Sequence, residues 1–512
     1  MSAATAESVP TPLRGLPLFI AGFALALANF IVVLDITIAN VSVPHIAGGL
    51  AVSPSQGTWT ITSYAVAEAI TVPLSGWLAG RFGAVRLLFV SLIGFGLFSL
   101  LCGMASTIEM LVAFRVLQGL SGGPLMPLTQ SLMTRVFPPE KIPMALGLWG
   151  VTTISAPILG PILGGLISDN WSWPWIFFIN LPVVAICAFV VWRILPPFET
   201  VKIRARIDRI GLILLILWVG SFQMMLDVGR EHDWFESTYV LMLGLTALIA
   251  FFVFVIWEWY EPHPIVDIRL LKDRTLAMST LSVSLAFGCF FATVVLVPLW
   301  LQQVIGFTAT EAGNISSYMG VLAVMLAPVA AMLLSRVDPR ITISLGIVWM
   351  ACTTLMRAGW STEAGYWQLV MPQLLQGLGT PFFFIGLTTL ALTHVRAKDT
   401  ASAAGIMTFM RTMSGAIGTA IATTYWDVLT QRSRGELVNG MNDVEGTISR
   451  MEGAGMDKGQ ATGIIDRLVD QQAMTNGVLE FYHYSVVIFL IAAAVVWLVP
   501  KPVLPLKPNA GH

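Results

Sequence analysis

Long apolar runs, interrupted by glycine, proline and charged residues, occupy most of the chain. A run of about 20 residues crosses the hydrocarbon core of a bilayer as an α-helix, because each residue adds about 1.5 Å to the helix. The pattern predicts about fourteen such helices. We place them at residues 16–42, 57–79, 86–105, 108–132, 143–167, 175–195, 210–228, 238–258, 276–302, 313–335, 341–359, 366–393, 402–427 and 479–499.

The composition of the chain agrees with this interpretation. Of its 512 residues, 56% are hydrophobic and 11% are charged, whereas about 25% of the residues in soluble domains are charged. The net charge of −1 argues against a nucleic-acid partner. We therefore predict an all-α polytopic membrane protein.

The basic residues predict which side of the membrane each loop faces, because cytoplasmic loops are enriched in lysine and arginine. If the N-terminus is cytoplasmic, most of the 28 lysine and arginine residues fall on the cytoplasmic side. Only Arg230 and Arg357 then fall in short outer loops. The sequence therefore predicts that both termini are cytoplasmic.

An internal repeat relates the two ends of the chain. The sequence Leu-Gln-Gly-Leu at residues 117–120 recurs at residues 375–378, an offset of 258. Gly147 recurs as Gly405 at the same offset, and Gly160 recurs as Gly418. Two parallel repeats of six helices are a known transporter design, in which the substrate site lies near the membrane midplane between the repeats.

The repeat suggests how the chain is divided. We predict six-helix bundles at residues 16–195 and 276–499, joined by a linker at 196–275 that adds a two-helix hairpin. Residues 1–15 and 500–512 are predicted to be cytoplasmic tails.

A polar segment at residues 428–478 precedes the last predicted helix, on the outer side. Ile464, Ile465, Leu468 and Val469 have the spacing of one amphipathic helix that leads into the last span. Long segments of this kind are often functional or disordered. Contact with a partner protein and a loop without function are both open alternatives.

Four charged residues lie inside predicted spans: Asp35, Glu68, Arg115 and Arg411. A charge in hydrocarbon costs a few kcal/mol or more, so it usually marks a proton or substrate pathway or a buried pair. Asp35 and Arg115 lie at a similar depth, which predicts that they contact each other. The alternative for Asp35 is a side chain that reaches the outer interface.

These charges are candidates for proton coupling. A carboxylate that gains and loses Arg115 as the two halves move would bind a proton in one state and release it in the other. The competing interpretation is a static ion pair that holds helices together. For Asp35 we favour coupling, and for Glu68 both interpretations stay open.

The fifth predicted span contains closely spaced glycines and prolines. Gly160 and Gly164 form a small face that allows another helix to approach closely. Pro157 and Pro161 remove backbone donors and are expected to bend the helix. The span is expected next to the boundary between the halves, where these residues would act as a hinge or a seal; plain packing is the alternative.

Several of these stretches resemble the major facilitator superfamily, and within it the EmrB-like branch of drug:proton antiporters with about fourteen spans. Residues 34–44 (LDITIANVSVP) resemble the first-helix signature of that branch. Residues 115–119 (RVLQG), from Arg115 to Gly119, resemble the fourth-helix motif, whose arginine is implicated in proton coupling. Residues 160–165 (GPILGG), which end at Gly165, resemble the fifth-helix motif associated with export.

One motif departs from the family pattern. Residues 76–83 (GWLAGRFG) resemble a loop motif of the superfamily, and they include Arg81 and Gly83. Gly80 stands where the superfamily usually has an aspartate. A charge-relay latch at this loop is therefore in doubt.

The resemblance implies a function that composition cannot give. It implies the major facilitator fold and proton-driven export of lipophilic drugs and toxic amphiphiles across the bacterial inner membrane, with no cofactor. It also implies a tripartite efflux system with an EmrA-like periplasmic membrane-fusion adaptor and a TolC-like outer-membrane channel. The segment at 428–478 would be a natural contact for that adaptor.

Soft and aromatic side chains near the predicted interface are candidates for a substrate pocket. The candidates are Gln118, Met126, Trp149, Phe290, Phe291, Phe383 and Met407. Transport of one physiological metabolite, such as a fatty acid, a lipid or a siderophore, is the alternative function. A membrane-embedded enzyme is disfavoured, because the sequence has no Walker motif and all six histidines lie at span ends or in loops.

Overall fold

A computed structural model describes residues 11–202, 208–229, 232–392, 395–396, 399–441 and 443–501. These residues form helices and connecting loops, and they include no β-strand. Most of the two predicted tails, and Arg230, lie outside the described residues.

The first half follows the predicted spans closely. Its helices are α1 (Gly15–Gly49), α2 (Pro54–Phe82), α3 (Ala84–Gly103), α4 (Ile108–Gly122), α5 (Leu125–Val136), α6 (Ile142–Asn170), α7 (Trp175–Phe178) and α8 (Asn180–Ile194). The fourth predicted span is divided into α4 and α5 at Gly123 and Pro124, because proline has no N–H to continue the helical ladder. The sixth is divided at Ile179 into α7 and α8.

The hairpin and the second half complete the bundle. The hairpin helices are α9 (Arg209–Val228) and α10 (Thr238–Tyr260). The helices that follow are α11 (Arg274–Trp300), α12 (Ala309–Arg336), α13 (Pro339–Arg357), α14 (Tyr366–Leu392), α15 (Thr400–Gly440), α16 (Val444–Gly453) and α17 (Lys458–Val496). In the described part of the chain, ten helices are long and apolar enough to cross a membrane. The other predicted spans, α2, α4 with α5, α6 and α15, are helical as well.

The two halves have the same internal packing. In the first half α1 packs on α6, α2 on α4, and α3 on α8. In the second half α11 packs on α15, α12 on α14, and α13 on α17. Gly119 and Gly377, which are 258 residues apart, allow the same close approach: a Cβ at Gly119 would lie 2.9 Å from Ala67 of α2, and one at Gly377 would lie 3.0 Å from the Ala323 nitrogen of α12.

The halves meet through two related pairs of helices. A Cβ added at Gly147 of α6 would lie 3.5 Å from Ile385 of α14. A Cβ added at its repeat partner, Gly405 of α15, would lie 3.4 Å from the hydroxyl oxygen of Ser75 in α2. Helix α6 also packs on α12. The interface between the halves therefore uses repeat-related glycines on both sides.

The hairpin packs on both halves. Helix α9 contacts α2 and α15. Its Trp218 packs edge-on against Phe409 of α15, with a distance of 5.6 Å between ring centroids. Thr62 of α2 donates a hydrogen bond to Asp227 at the C-terminal end of α9. The added helices therefore lie beside the α2–α15 contact.

The end of the bundle at which α1 begins is called the inner side here. Leu13 donates its backbone N–H to Val136 at the end of α5. In the second half, Arg274 and Arg340, at the beginnings of α11 and α13, donate to the carbonyls of Leu498 and Val499. The start of α1 and the end of α17 thus occupy corresponding places in the two halves.

The segment at 428–478 differs from its prediction. Instead of a polar loop with one helix, it consists of long extensions of α15 and α17 with α16 between them. Arg434 of α15 pairs with Asp466 and Asp470 of α17, which holds the extensions side by side. We call residues 428–478 the outer extension, because it projects from the end opposite the inner side.

Two details of the outer side also differ. Arg357 was expected in a short outer loop, but it is the last residue of α13 and is fully buried. In the outer extension, Leu468 of the predicted amphipathic helix is 59% exposed. Only Val469 of the predicted face is buried.

Candidate functional site

Asp35 of α1 and Arg115 of α4 form an ion pair in which both side chains are fully buried. Two amides also donate to Oδ1 of Asp35: Nε2 of Gln118 at 3.1 Å and Nδ2 of Asn180 at 2.8 Å. The structure thus brings together the two charges that the sequence placed at equal depth. Asp35 reaches neither lipid nor water at the outer interface, so the alternative of an exposed carboxylate is wrong.

The guanidinium of Arg115 has further partners that reduce the cost of burial. Its Nε donates to the backbone carbonyl of Thr60 at 3.0 Å. Its Nη1 also donates to Oε1 of Gln118 at 2.9 Å. The rings of Tyr64 and Phe177 lie 4.3 and 5.5 Å from the guanidinium carbon, which allows cation–π contact. A buried ion pair is stable only when such additional contacts satisfy both charges.

Asn180 is a site residue that the sequence analysis missed. Its Nδ2 contacts Oγ of Ser99 at 3.1 Å as well as Asp35, and Ser99 in turn donates to the carbonyl of Phe177 at 2.8 Å. Asn180 is the first residue of α8 and lies inside a predicted span. An uncharged polar residue within an apolar run was the available signal.

Glu68 is a second buried carboxylate near the pair, but it is not part of it. Its side chain is 3% exposed, and no lysine or arginine of the described residues lies within 4.0 Å of its carboxylate. It interacts electrostatically with Asp35, Arg115 and Arg411. Glu68 therefore links the ion pair of the first half with a charge of the second half.

Arg411 of α15 lies at the boundary between the halves and is 2% exposed. Its Nη2 lies 4.0 Å from the sulfur of Met126, and the Trp149 and Phe287 rings lie 5.0 and 5.4 Å from its guanidinium carbon. Within the described ranges, no carboxylate lies within 4.0 Å of it. The guanidinium is thus held by soft and aromatic groups from both halves.

The predicted pocket residues separate into three groups. Met126 and Trp149 converge on Arg411, whereas Gln118 belongs to the Asp35 site. The remaining four lie in an aromatic and aliphatic cluster of the second half, which also contains Phe287: Phe290, Phe291, Phe383 and Met407. Of these four, only Phe291 is more than slightly exposed.

Gly160 and Gly164 of α6 pack within the first half rather than across the boundary. A Cβ at Gly160 would lie 2.7 Å from Cβ of Thr37, and one at Gly164 would lie 2.9 Å from the carbonyl of Ile38. Gly165 faces the other half, as Gly147 does, and a Cβ added to it would lie 3.7 Å from Thr310 of α12. The close α1–α6 contact therefore supports the helix that carries Asp35.

The backbone at Pro157 and Pro161 is helical, so α6 continues through both residues. The repeat partner of Gly160 makes a similar contact in the second half: Gly418 of α15 packs on the backbone of Gly288 in α11. In both halves, these glycines thus allow a close contact between two helices.

The loop motif at 76–83 contacts a carboxylate that the sequence analysis did not identify. Gly83 has a φ of +95°, which favours glycine, and it ends α2 beside the carboxylate of Glu199. Glu199 accepts the N–H groups of Val85 at 2.9 Å and Arg86 at 3.1 Å, in the first turn of α3. Arg81 lies over the ring of Trp77. Glu199 thus supplies a negative charge next to this loop, where Gly80 replaces the usual aspartate.

The site offers charge and proton chemistry. Across the described segments, no group of three or more histidine, cysteine, aspartate or glutamate side chains could hold a metal ion. Its reactive groups are two carboxylates and two guanidinium groups in an apolar interior.

We predict that Asp35→Ala and Arg115→Ala each lower the free energy of unfolding by about 3–5 kcal/mol, because each leaves an unpaired buried charge. The double variant should lose clearly less than the sum of the two single losses. Chemical denaturation of the purified protein measures these differences.

The exposed pair Arg434 and Asp470, with side chains 46% and 42% exposed, is the matched control. The same substitutions there should cost about 1 kcal/mol or less. Strictly additive losses at Asp35 and Arg115 would contradict the role of the pair.

Comparison with known proteins agrees with this architecture. The family model described as Major Facilitator Superfamily matches residues 25–419. The multidrug export protein EmrB of Escherichia coli (strain K12) is 41% identical over 500 residues, which cover 96% of this chain and 97% of that protein. The fatty acid resistance protein FarB of Neisseria gonorrhoeae is 39% identical over 495 residues, which cover 96% of this chain and 98% of that protein.

A solved structure shows the same fold at low sequence identity. The human organic anion transporter MFSD10 is 13% identical, with a TM-score of 0.59, and the match covers 94% of this chain and 100% of that one. The family match and the two relatives extend over most of the chain, and both halves share one packing pattern. The chain is therefore a multi-pass membrane protein that belongs to the major facilitator superfamily.

Proposed function

We propose that the chain is a proton-coupled antiporter that exports lipophilic drugs and toxic amphiphiles across the bacterial inner membrane. The observation that carries this proposal is the fully buried pair of Asp35 and Arg115, with Glu68 in electrostatic contact. Such charges inside a membrane bundle are expensive and usually serve transport. The similarity to EmrB, a multidrug export protein, supports the substrate class and the direction.

The geometry changes the coupling scheme expected from the sequence. Asp35 and Arg115 lie on α1 and α4 of the same half, so rocking of two rigid halves does not separate them. Glu68 and Arg411 belong to opposite halves, and their distance changes whenever the halves move. In our proposal, the distance between Glu68 and Arg411 changes as the halves move. The resulting change in their electrostatic field alters the proton affinity of Asp35.

The soft surroundings of Arg411 support a substrate site at the same boundary. Met126 and Trp149 of the first half and Phe287 of the second surround its guanidinium. Methionine and aromatic side chains adapt to apolar ligands of different shapes. A substrate bound there would contact both halves, as alternating access requires.

We also propose that the proton gradient is the only energy source and that the inner side is cytoplasmic, which puts both termini in the cytoplasm. The concentration of basic residues on that side supports the orientation. A cofactor is not part of the mechanism.

Substrate-induced proton movement in proteoliposomes tests the coupling. We expect Asp35→Asn and Glu68→Gln to insert normally but to reduce proton movement to the level of empty liposomes, because each removes a titratable carboxylate from the site. A pH-sensitive dye inside the vesicles measures the movement. Glu258→Gln is the matched control: Glu258 is fully buried but lies at the end of α10 in the added hairpin.

The control variant should retain coupled transport. Arg411→Gln should lose it, whereas Arg411→Lys should keep part of it, because the charge remains. Normal efflux by Asp35→Asn would end the proton-coupling proposal.

A second candidate function is transport of one physiological metabolite such as a fatty acid, and the similarity to FarB, a fatty acid resistance protein, is the observation in its favour. A panel of chemically unrelated lipophilic compounds, with a long-chain fatty acid among them, separates the two candidates. We expect several unrelated compounds to drive proton movement in the wild-type protein. A response to the fatty acid alone would favour the metabolite transporter.

We propose that the outer extension contacts an EmrA-like periplasmic adaptor, which in turn joins a TolC-like outer-membrane channel. The extension projects away from the membrane bundle, and it exposes Ile464 and Leu468 by 39% and 59%. Exposed apolar side chains on a charged helix are typical of an interaction surface.

We expect Ile464→Ser with Leu468→Ser to lower drug resistance of cells and to leave transport in proteoliposomes unchanged, because only the cell assay needs the adaptor. Arg467→Ser, an exposed change on the same helix, is the control and should behave as wild type. Full resistance of the double variant would count against this docking surface.

A further inference from the structure

Arg357 is a buried cation of the second half that the proposed transport mechanism does not use. It ends α13, and its side chain is fully buried. Its Nη2 donates to Oε1 of Gln373 at 2.8 Å and to Oε1 of Gln376. Its Nε and Nη1 are buried and have no hydrogen-bond partner among the described residues. Two donors of this guanidinium are thus unsatisfied.

Polar groups next to Arg357 also lack hydrogen-bond partners among the described residues. Nε2 of Gln373, Nε2 of Gln376 and the hydroxyl of Tyr482 are buried without a partner in the described part of the chain. Tyr482 interacts electrostatically with Arg357, and no described carboxylate lies within 4.0 Å of the guanidinium. Unsatisfied buried donors and an unpaired buried charge are both costly. A bound anion would remove both costs at once.

The internal repeat shows which group is missing. At the offset of 258 residues, Gln373 takes the place of Arg115, and Gln376 takes the place of Gln118. In the first half, Gln118 donates its amide to Asp35. In the second half, the corresponding amide of Gln376 has no acceptor.

The acceptor is absent because Thr293 occupies the position of Asp35 at the same offset. Thr293 is fully buried, and its hydroxyl donates to the carbonyl of Phe290 in its own helix at 2.9 Å. Arg357 supplies the guanidinium from α13, where it takes the place of Cys102: Cys102 contacts Oε1 of Gln118, and Arg357 donates to Oε1 of Gln376. The second half therefore keeps the cation and the amide but lacks the carboxylate.

We propose that the second half binds a small monovalent anion of the size of chloride between Arg357, Gln376 and Tyr482. The ion would occupy the place that the Asp35 carboxylate holds in the first half. Tyr482 comes from α17, whose packing on α11 and α13 corresponds to that of α8, the helix that supplies Asn180. In the first half, the Asp35 carboxylate neutralises Arg115. In the second half, an ion from solution would neutralise Arg357.

The surroundings favour a compact inorganic ion over a larger acid. Arg357, Gln376 and Tyr482 are fully buried, and Trp360, 4% exposed, packs edge-on against Tyr482 with ring centroids 6.1 Å apart. Trp360 also stacks on Trp300 at 5.3 Å. The site therefore lies under an aromatic cover beside the loop that follows α13. This site does not depend on the direction or the driving force of transport.

The thermal unfolding midpoint of the purified full-length protein tests the proposal. It is measured in chloride, in bromide and in gluconate at the same ionic strength, because gluconate is too large for the site. We expect chloride and bromide to raise the midpoint by roughly 1–3 °C in a saturable way.

Two substitutions at Thr293 make the test specific. Thr293→Asp supplies the missing carboxylate, so it should raise the midpoint in gluconate and abolish the response to chloride. Thr293→Asn has nearly the same shape without the charge, and it should keep the chloride response. Arg357→Gln removes the cation of the site, so it should abolish the chloride response, as Thr293→Asp does.

Equal midpoints of the wild-type protein in chloride and gluconate would overturn the proposal, because water would then satisfy the donors. The proposal would also be overturned if Thr293→Asp responded to chloride as strongly as Thr293→Asn does.

Discussion

The cost of placing charge in an apolar interior governs the arrangement of this protein. Asp35 and Arg115 are both fully buried, and neither could be accommodated alone. Gln118, Asn180 and the carbonyl of Thr60 add hydrogen bonds to the pair, and the tight glycine contacts of α6 hold α1 in place beside them. Three helices of the first half, α1, α4 and α8, therefore meet at one carboxylate. In the proposed mechanism, a movement that weakens these contacts alters the proton affinity of Asp35.

The two halves share a backbone arrangement but divide the chemistry between them. The first half contains both carboxylates of the site, whereas the second half contributes Arg411 to the boundary and keeps Arg357 in its own interior. Close glycine contacts recur in both halves, since they determine how near the helices approach. The charged side chains do not recur; in our proposal, one half binds protons while the other changes their electrostatic environment.

Much of this could be predicted from the sequence because two signals are strong in a membrane protein. Long apolar runs predicted fourteen helical segments, which the described residues confirm as helices. Equal depth along two of them indicated the contact of Asp35 with Arg115. Other features depend on neighbours that no local pattern identifies. Arg357 was assigned to a loop because it ends a span, but Gln376 and Tyr482 from later helices enclose it. The outer extension was expected to be a loop because of its glycines, yet α15 and α17 continue into it as helices, with Arg434 paired to Asp470 between them.

The protonation state of Asp35 during transport tests the central claim most directly. Infrared difference spectra of the reconstituted protein, recorded before and after substrate is added, report protonated carboxyl groups through their C=O stretching band. The proposed coupling predicts a change in this band that is present in the wild-type protein and absent in Asp35→Asn. Identical difference spectra for the two proteins would contradict a pump driven by proton exchange at this carboxylate.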